Sequence, residues 1–422
     1  MIKKQQSMPE YNFLLGLYVF FNIVCAIYFS STGLLGGDFG GEYKASSFWI
    51  VIALCIILLT FILFPSVIFN FFNSIKVNRC KNIKSNSIDY FFTLVFIFSI
   101  YIAVVYKMGV YGMGEDIFDS IPSYINVAYS ILQVPHLGLI YFFYRVEGFR
   151  EITFLINLVF YISLCLISGQ TFQLVFILIL YLLWRREVSN PVNMKGVIFF
   201  SVFGLLLYPF IRLLKLVLVI YQRDAIEAAV VAGNIINDFS GYYVSSVFDS
   251  LERFQIVANL SFILERFEYL SSDYQRLVGY GDVNNFFSSN WVFKFFIKTF
   301  GFFADLSDLP QKYLALFING NDFWTSHISL FGYYVFYGFA SLFIYVFVLL
   351  SLFTGTYFCK KISNKNNVQL LNRIMILTMI CHGWFMAYVG FIQALFLFYF
   401  LLYFFDALNK LIRFCTTTTR VF

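Results

Sequence analysis

Long apolar stretches divide this chain into segments of the length that a membrane span requires. An α-helix needs about 20 mostly apolar residues to cross the hydrocarbon layer of a bilayer. The stretches lack the strict alternation of β-barrel strands, so they favour helices. The candidate spans lie near residues 11–33, 48–73, 88–107, 124–144, 152–168, 171–184, 197–219, 326–356, 371–388 and 390–408. The last two share a predicted turn near Gly390.

The composition supports a lipid environment. Of the 422 residues, 60% are hydrophobic and only 12% are charged, which leaves too little polar surface to cover a soluble globule. The net charge of +6 is spread over short basic clusters between apolar stretches and does not form a nucleic-acid-binding patch. The sequence therefore predicts an all-α polytopic membrane protein with about ten transmembrane helices, the lipid bilayer as a partner and no nucleic acid.

Basic clusters mark alternate connections between the predicted spans. They contain 18 of the 29 Lys and Arg residues, and the positive-inside rule assigns those connections to the cytoplasm. An even number of spans then places both termini on the cytoplasmic side. The first apolar stretch has no small-residue cleavage site after it, so we expect a retained helix and no removed signal peptide.

Residues 222–325 form one large hydrophilic segment, which this topology places outside the membrane. It contains 12 acidic and seven basic residues, and apolar and aromatic residues persist throughout it. We therefore expect a folded, mainly helical loop. Apolar residues from Val247 to Phe262 recur at steps of three and four, which predicts an amphipathic helix. The predicted organisation is an N-terminal bundle of about seven helices (1–221), this loop (222–325) and about three C-terminal helices with a cytoplasmic tail (326–422).

Four arginines of this loop are candidates for binding a phosphorylated lipid, because the guanidinium fork binds phosphate oxygens and stays protonated. The alternative is salt bridging with nearby Asp249, Glu252, Glu265 and Glu268. The four arginines are Arg223, Arg253, Arg266 and Arg276.

Two further cations, Arg212 and Lys215, lie one helical turn apart within an apolar stretch after Pro209. Ionisable residues within a span usually face the protein interior or water and mark a substrate path, although long cations near a helix end can instead extend to the membrane surface. Both interpretations stay open.

The histidines are His136, His327 and His382. No HExxH, DxD or cysteine cluster accompanies them, and neither a Walker loop nor GxGxxG occurs, so we predict no metal and no cofactor. His327 lies at the predicted outer interface and is the candidate catalytic base, whereas His136 and His382 are expected to pack within the bundle.

The layout resembles Wzy-type O-antigen polymerases, membrane enzymes that join lipid-linked oligosaccharide repeat units. The similar features are the turn Ser168 to Thr171, the cations Arg212 and Lys215 after the next span, an outer helix from Arg253 to Leu260, and the stretch from Trp324 to Gly338. The turn carries Gln170 and Thr171 where many relatives have an arginine.

This resemblance implies a GT-C-like, metal-independent glycosyltransferase at the periplasmic face of the bacterial inner membrane. Its substrate would be an undecaprenyl-pyrophosphate-linked oligosaccharide, and a chain-length regulator and a flippase of the same pathway would be its partners. Arg212, Lys215, Arg223, Arg266 and Arg276 would bind pyrophosphate or glycan, Arg253 would act in catalysis, and Glu252, Asp249 or His327 would accept the acceptor's proton.

Two other functions agree with the same topology. An O-antigen ligase would use the same donor with a different acceptor. A flippase or other transporter of lipid-linked oligosaccharide would concentrate its polar groups at mid-membrane, often within paired repeats.

Overall fold

The computed structural model describes residues 8–78, 86–108, 121–170, 172–188, 194–279, 282–290, 309–320, 325–362 and 366–418. Helices dominate these residues, and an isolated bridge pairs Leu34 with Lys44. The chain forms two compact units. The first comprises residues 1–75, 240–356 and 372–390, and the second comprises 76–239, 357–371 and 391–422.

The helices are numbered here in chain order. They are α1 Pro9–Thr32, α2 Ser47–Ser74, α3 Asn86–Val105, α4 Ser123–Leu132, α5 Val134–Tyr144, α6 Ile152–Ile167, α7 Phe172–Val188, α8 Met194–Arg223, α9 Ala225–Asn237, α10 Phe239–Glu252, α11 Val257–Glu265, α12 Phe267–Val278, α13 Asn284–Ser288, α14 Pro310–Asn319, α15 Ser329–Tyr337, α16 Ser341–Ile362, α17 Asn367–Met375 and α18 Phe385–Thr418.

Seven helical segments of the described residues are long and apolar enough to cross a membrane, so the chain is a helical membrane protein. The predicted spans at 152–168, 171–184 and 371–388 correspond to shorter helices. The count of ten spans, their orientation, the outer position of 222–325 and the division at 221 and 325 stay predictions. The seven segments are Pro9–Thr32, Ser47–Ser74, Ser87–Val105, Ser123–Tyr144, Val202–Tyr221, Ser329–Ile362 and Phe385–Leu408.

The predicted turn between the last two spans is wrong in position. Gly390 lies inside α18, and the helix break falls at Gly383. The φ of Gly383 is +84°, and a Cβ there would lie 2.6 Å from the carbonyl oxygen of Ser329. Only glycine combines that backbone conformation with so close a neighbour, so the turn forms before α18.

The core of the first unit surrounds α11. Every residue from Val257 to Leu264 is buried, and the helix packs against α1, α2 and α15. The predicted amphipathic helix from Val247 to Phe262 is wrong, because α10 ends at Glu252 and α11 begins at Val257. The resemblance-based helix from Arg253 to Leu260 fails for the same reason. A helix buried on all sides carries apolar residues at the same spacings as an amphipathic one.

In the second unit, α3 packs along α6 and encloses a buried ion pair. Nε and Nη2 of Arg145 donate to the carboxylate of Asp89 at 3.2 and 2.7 Å, and the Tyr141 hydroxyl donates to the same group at 2.8 Å. Asp89 is fully buried. Arg145, one of the basic residues between the predicted spans, is therefore paired with a buried carboxylate.

Candidate functional site

The connection between α1 and α2 folds against the junction of α10 and α11. The backbone N–H of Gly37 donates to Oε2 of Glu252 at 2.8 Å, and the φ of Gly37 is +67°, which glycine adopts readily. Phe39 of the same connection is buried against the ring of Phe262. Between these two anchors lies Asp38.

Asp38 forms a hydrogen-bonded cluster with Asn259 and Ser326, here called the Asp38 cluster. Oδ2 of Asp38 accepts from Nδ2 of Asn259 at 3.0 Å and from Oγ of Ser326 at 2.7 Å. The Asn259 amide also donates to the Ser326 hydroxyl at 2.8 Å. Within the part of the chain that the structure describes, Oδ1 of Asp38 accepts no hydrogen bond, and the side chain is partly exposed. The cluster thus holds a carboxylate by one oxygen and leaves the other available.

A buried asparagine holds the turn that carries Arg253. Asn22 lies in α1 and is fully buried. Its Nδ2 donates to the carbonyl oxygen of Phe254 at 3.0 Å, and its Oδ1 accepts from the N–H of Ile256 at 2.9 Å. The ring of Phe254 packs edge-on against Tyr18 of the same helix. These contacts fix the residues after Arg253, while the Arg253 side chain stays exposed.

His327 follows Ser326 and lies in an aromatic group. Its ring stacks on Trp384 with the centroids 4.5 Å apart and lies 5.1 Å from the ring of His382. Nδ1 of His327 is enclosed without a hydrogen-bond partner among the described residues. Burial, reinforced by the nearby Arg253 guanidinium, lowers the pKa of His327 to about 3. The imidazole is therefore neutral at neutral pH, and it is a weaker base than an exposed histidine.

Arg266 is involved in local packing. Its guanidinium carbon lies 4.1 Å from the centre of the Phe262 ring. The guanidinium also contacts the Glu265 carboxylate at 3.4 Å and the carbonyl oxygen of Lys44 at 3.4 Å. This arrangement matches the salt-bridging alternative for Arg266. Arg276 is exposed in the last turn of α12.

The remaining predicted residues lie elsewhere or outside the described part. Arg212 and Lys215 belong to α8 of the second unit, as does Arg223, whose side chain lies outside the described residues. Asp249 lies in α10 of the first unit, and its side chain is likewise outside them. Thr171 and Trp324, which entered the resemblance, are also outside the described residues.

The structure brings three predicted residues, Glu252, Arg253 and His327, together with residues that sequence reasoning did not select. In the sequence Asp38 is one acidic residue of a short glycine-rich connection, and no motif around it indicates a site. Asn22 is a single polar residue in an apolar stretch, and this is the feature of the sequence that indicates a buried polar contact there. In the portions of the chain that the structure describes, no three His, Cys, Asp or Glu side chains lie together as a metal site requires.

The assembled site combines an exposed cation, a carboxylate with an available oxygen, and a neutral imidazole, and it lies where α1 ends and α11 begins. Such a set can bind an anion and accept a proton from a hydroxyl group. No family model matches the chain, and no curated protein or solved structure is significantly similar to it.

Proposed function

We propose that this chain is an O-antigen polymerase, a membrane glycosyltransferase that joins undecaprenyl-pyrophosphate-linked oligosaccharide repeat units. The observation that carries the proposal is the convergence of Glu252, Arg253 and His327 with the Asp38 cluster in a protein of apolar helices. A cation and a carboxylate near helices that cross a membrane suit a substrate with an anionic lipid-linked end and a hydroxyl-rich end.

Arg253 would bind the pyrophosphate of the donor. The reaction breaks the bond between the sugar's anomeric carbon and the pyrophosphate oxygen, and the electron pair of that bond leaves with the pyrophosphate. A preorganised guanidinium offsets the charge that develops there. Arg253 is exposed on a turn held from behind by Asn22, so its backbone position is fixed while its side chain can reach a ligand. Arg212, Lys215, Arg223 and Arg276 stay predicted contributors to substrate binding.

A carboxylate would accept the proton of the acceptor hydroxyl as its oxygen bonds to the anomeric carbon. Oε2 of Glu252 accepts from the N–H of Gly37. Oδ2 of Asp38 accepts from Asn259 and Ser326, and its Oδ1 accepts no hydrogen bond among the described residues. Asp38 therefore joins Glu252 as a candidate base, and it is the one that we propose. A histidine with a pKa near 3 holds an accepted proton poorly, so His327 suits a hydrogen-bonding role at the same site.

The decisive experiment uses a strain that lacks this gene and examines its lipopolysaccharide by gel electrophoresis. A lipid A core capped by a single repeat unit, in place of the ladder, supports a polymerase. Bare core with accumulated lipid-linked polymer indicates a ligase, and bare core without that polymer indicates a flippase. An unchanged ladder contradicts all three functions.

Complementation then tests the site. Arg253→Gln removes the positive charge that would stabilise the leaving pyrophosphate, and Asp38→Asn removes a general base, which contributes about 10²–10⁴-fold to a rate. Each variant should therefore fail to restore the ladder at wild-type expression. Glu42→Gln is the matched control, since Glu42 is an exposed carboxylate of the same connection and should restore the ladder. A full ladder from Asp38→Asn would contradict its role as the base.

A further inference from the structure

The chain reverses direction at Asp224, between α8 and α9. The N–H of Asp224 donates to the carbonyl oxygen of Ile220 at 2.8 Å, which closes the last turn of α8. The Asp224 carboxylate accepts from the N–H groups of Ile226 and Glu227 at 2.7 and 3.2 Å, which caps the start of α9. A single residue therefore separates the helix Met194–Arg223 from the helix Ala225–Asn237.

The two helices pack side by side. The ring of Phe239, just after α9, lies 5.6 Å from the ring of Phe210. Phe210 precedes the end of α8 by 13 residues, which is about 20 Å of helix at 1.5 Å per residue. Since α9 contains 13 residues, it returns antiparallel along α8 for about that distance.

The part of α8 that α9 packs against overlaps the apolar part of α8. The segment Val202–Tyr221 is apolar enough to cross a membrane, and Phe210 lies near its middle. Within α9 the one charged residue is Glu227, close to the turn. Ile226, Val230 and Ile236 expose most of their side chains, whereas Ala228 is buried.

We propose that α9 is a re-entrant helix, which returns into the apolar layer crossed by α8 and contacts lipid acyl chains through Ile226, Val230 and Ile236. A helix satisfies its own backbone hydrogen bonds, so it can re-enter hydrocarbon without exposing unpaired groups. The part of the segment 222–325 that lies outside the membrane then begins beyond α9, where the chain has returned to the surface, and not at residue 222 as the hydropathy pattern predicts.

The antiparallel register explains two cations of α8. With Phe210 opposite Phe239, residue numbers that sum to about 449 lie at the same depth. Asp238 is then level with the helical turn of Arg212, and Asn234 is level with Lys215. The re-entrant helix thus brings a carboxylate and an amide to the depth of the charged residues, where ionisable groups need polar neighbours.

Spin labelling of the full chain in phosphatidylethanolamine–phosphatidylglycerol vesicles tests the proposal. The seven cysteines are replaced, and single cysteines are placed at Ile226, Val230, Ile236 and, as a depth reference on α8, Leu214. The measured quantity is the ratio of the spin label's accessibility to oxygen to its accessibility to a water-soluble nickel chelate. This ratio should rise from Ile226→Cys through Val230→Cys to Ile236→Cys. The last should match Leu214→Cys, whose position is exposed on the neighbouring helix.

Three results would overturn the proposal. Equal depth at the three positions means a helix on the membrane surface, high nickel-chelate access means a helix in water, and low access to both reagents means a protein-covered face. If removal of the cysteines prevents expression, Val230→Lys in the natural chain replaces the labelling. It should reduce the yield of folded protein several-fold, while Glu227→Lys near the turn leaves it unchanged. Equal yields of the two variants would also overturn the proposal.

Discussion

Replacing Asn22 by leucine should loosen the turn that carries Arg253. The change leaves the N–H of Ile256 and the carbonyl oxygen of Phe254 without their buried partner, and each such loss costs about 1–3 kcal/mol. Leucine has a similar size and recovers roughly 1–2 kcal/mol through apolar burial. The net destabilisation should be about 3 kcal/mol, which lowers the ratio of folded to unfolded protein by roughly 10²-fold.

The free energy of unfolding can be measured by titration with a denaturing detergent, with Asn12→Leu as the control. Asn12 lies on the same helix and is exposed, so its replacement should change stability by less than about 0.5 kcal/mol. Trypsin gives a local readout, because cleavage after the exposed Arg253 should accelerate in Asn22→Leu alone. If both variants unfold at the wild-type detergent concentration and resist trypsin equally, Asn22 does not hold the turn.

Two further predictions concern the segments that meet at the site. Gly383→Ala should destabilise the protein by roughly 2 kcal/mol or more, since its Cβ would lie 2.6 Å from the Ser329 oxygen and φ would stay positive. Gly233→Ala is the control, because Gly233 lies inside α9 with open space around it, and this variant should keep its stability. Equal melting temperatures of the two variants would contradict the close approach at Gly383. Because the pKa of His327 is lowered to about 3 from an ordinary 6.5, the unfolded state binds more protons between these values, so stability should fall as pH drops through this window. The melting temperature of His327→Gln should fall less between pH 7 and 5 than that of the wild type, and identical slopes would show that His327 does not contribute.

The sequence predicted the helices well because lipid imposes a simple rule on composition. Nine of the ten predicted spans begin within four residues of the first residue of an observed helix, and the last, near 390–408, begins five residues after α18 does. The chain is a helical membrane protein. The predicted span near 371–388 covers both α17 and the turn at Gly383. A hydropathy pattern records how apolar a stretch is but not where a close backbone contact breaks it, so Gly390 was selected in place of Gly383.

The re-entry of α9 illustrates the same limit. A short apolar helix after a span can lie on the membrane surface, extend from it or return into it, and its composition is similar in each case. The contact between Phe210 and Phe239 depends on the tight turn at Asp224, and only a structure gives the direction of the returning helix.

The candidate site was less accessible to sequence reasoning because its residues come from distant segments. The hydrogen bond from Asn22 to Phe254 spans 232 residues, and the one from Ser326 to Asp38 spans 288. The sequence indicates candidate arginines by their charge and by the residues next to them in the chain. Neither feature distinguishes a guanidinium that packs against other side chains from one that can bind a ligand.

Arg253 and Arg266 show how that separation arises. Both follow a glutamate and lie near the ends of helices of the same unit. The guanidinium of Arg266 covers the ring of Phe262 and contacts Glu265 and the Lys44 carbonyl, so an incoming phosphate would compete with those contacts. Arg253 is exposed beside an imidazole that burial keeps neutral, so an anion approaching it meets no such competing contact from His327. Availability of the positive charge, and not its presence in the sequence, is therefore the physical basis of the proposal that Arg253 binds pyrophosphate.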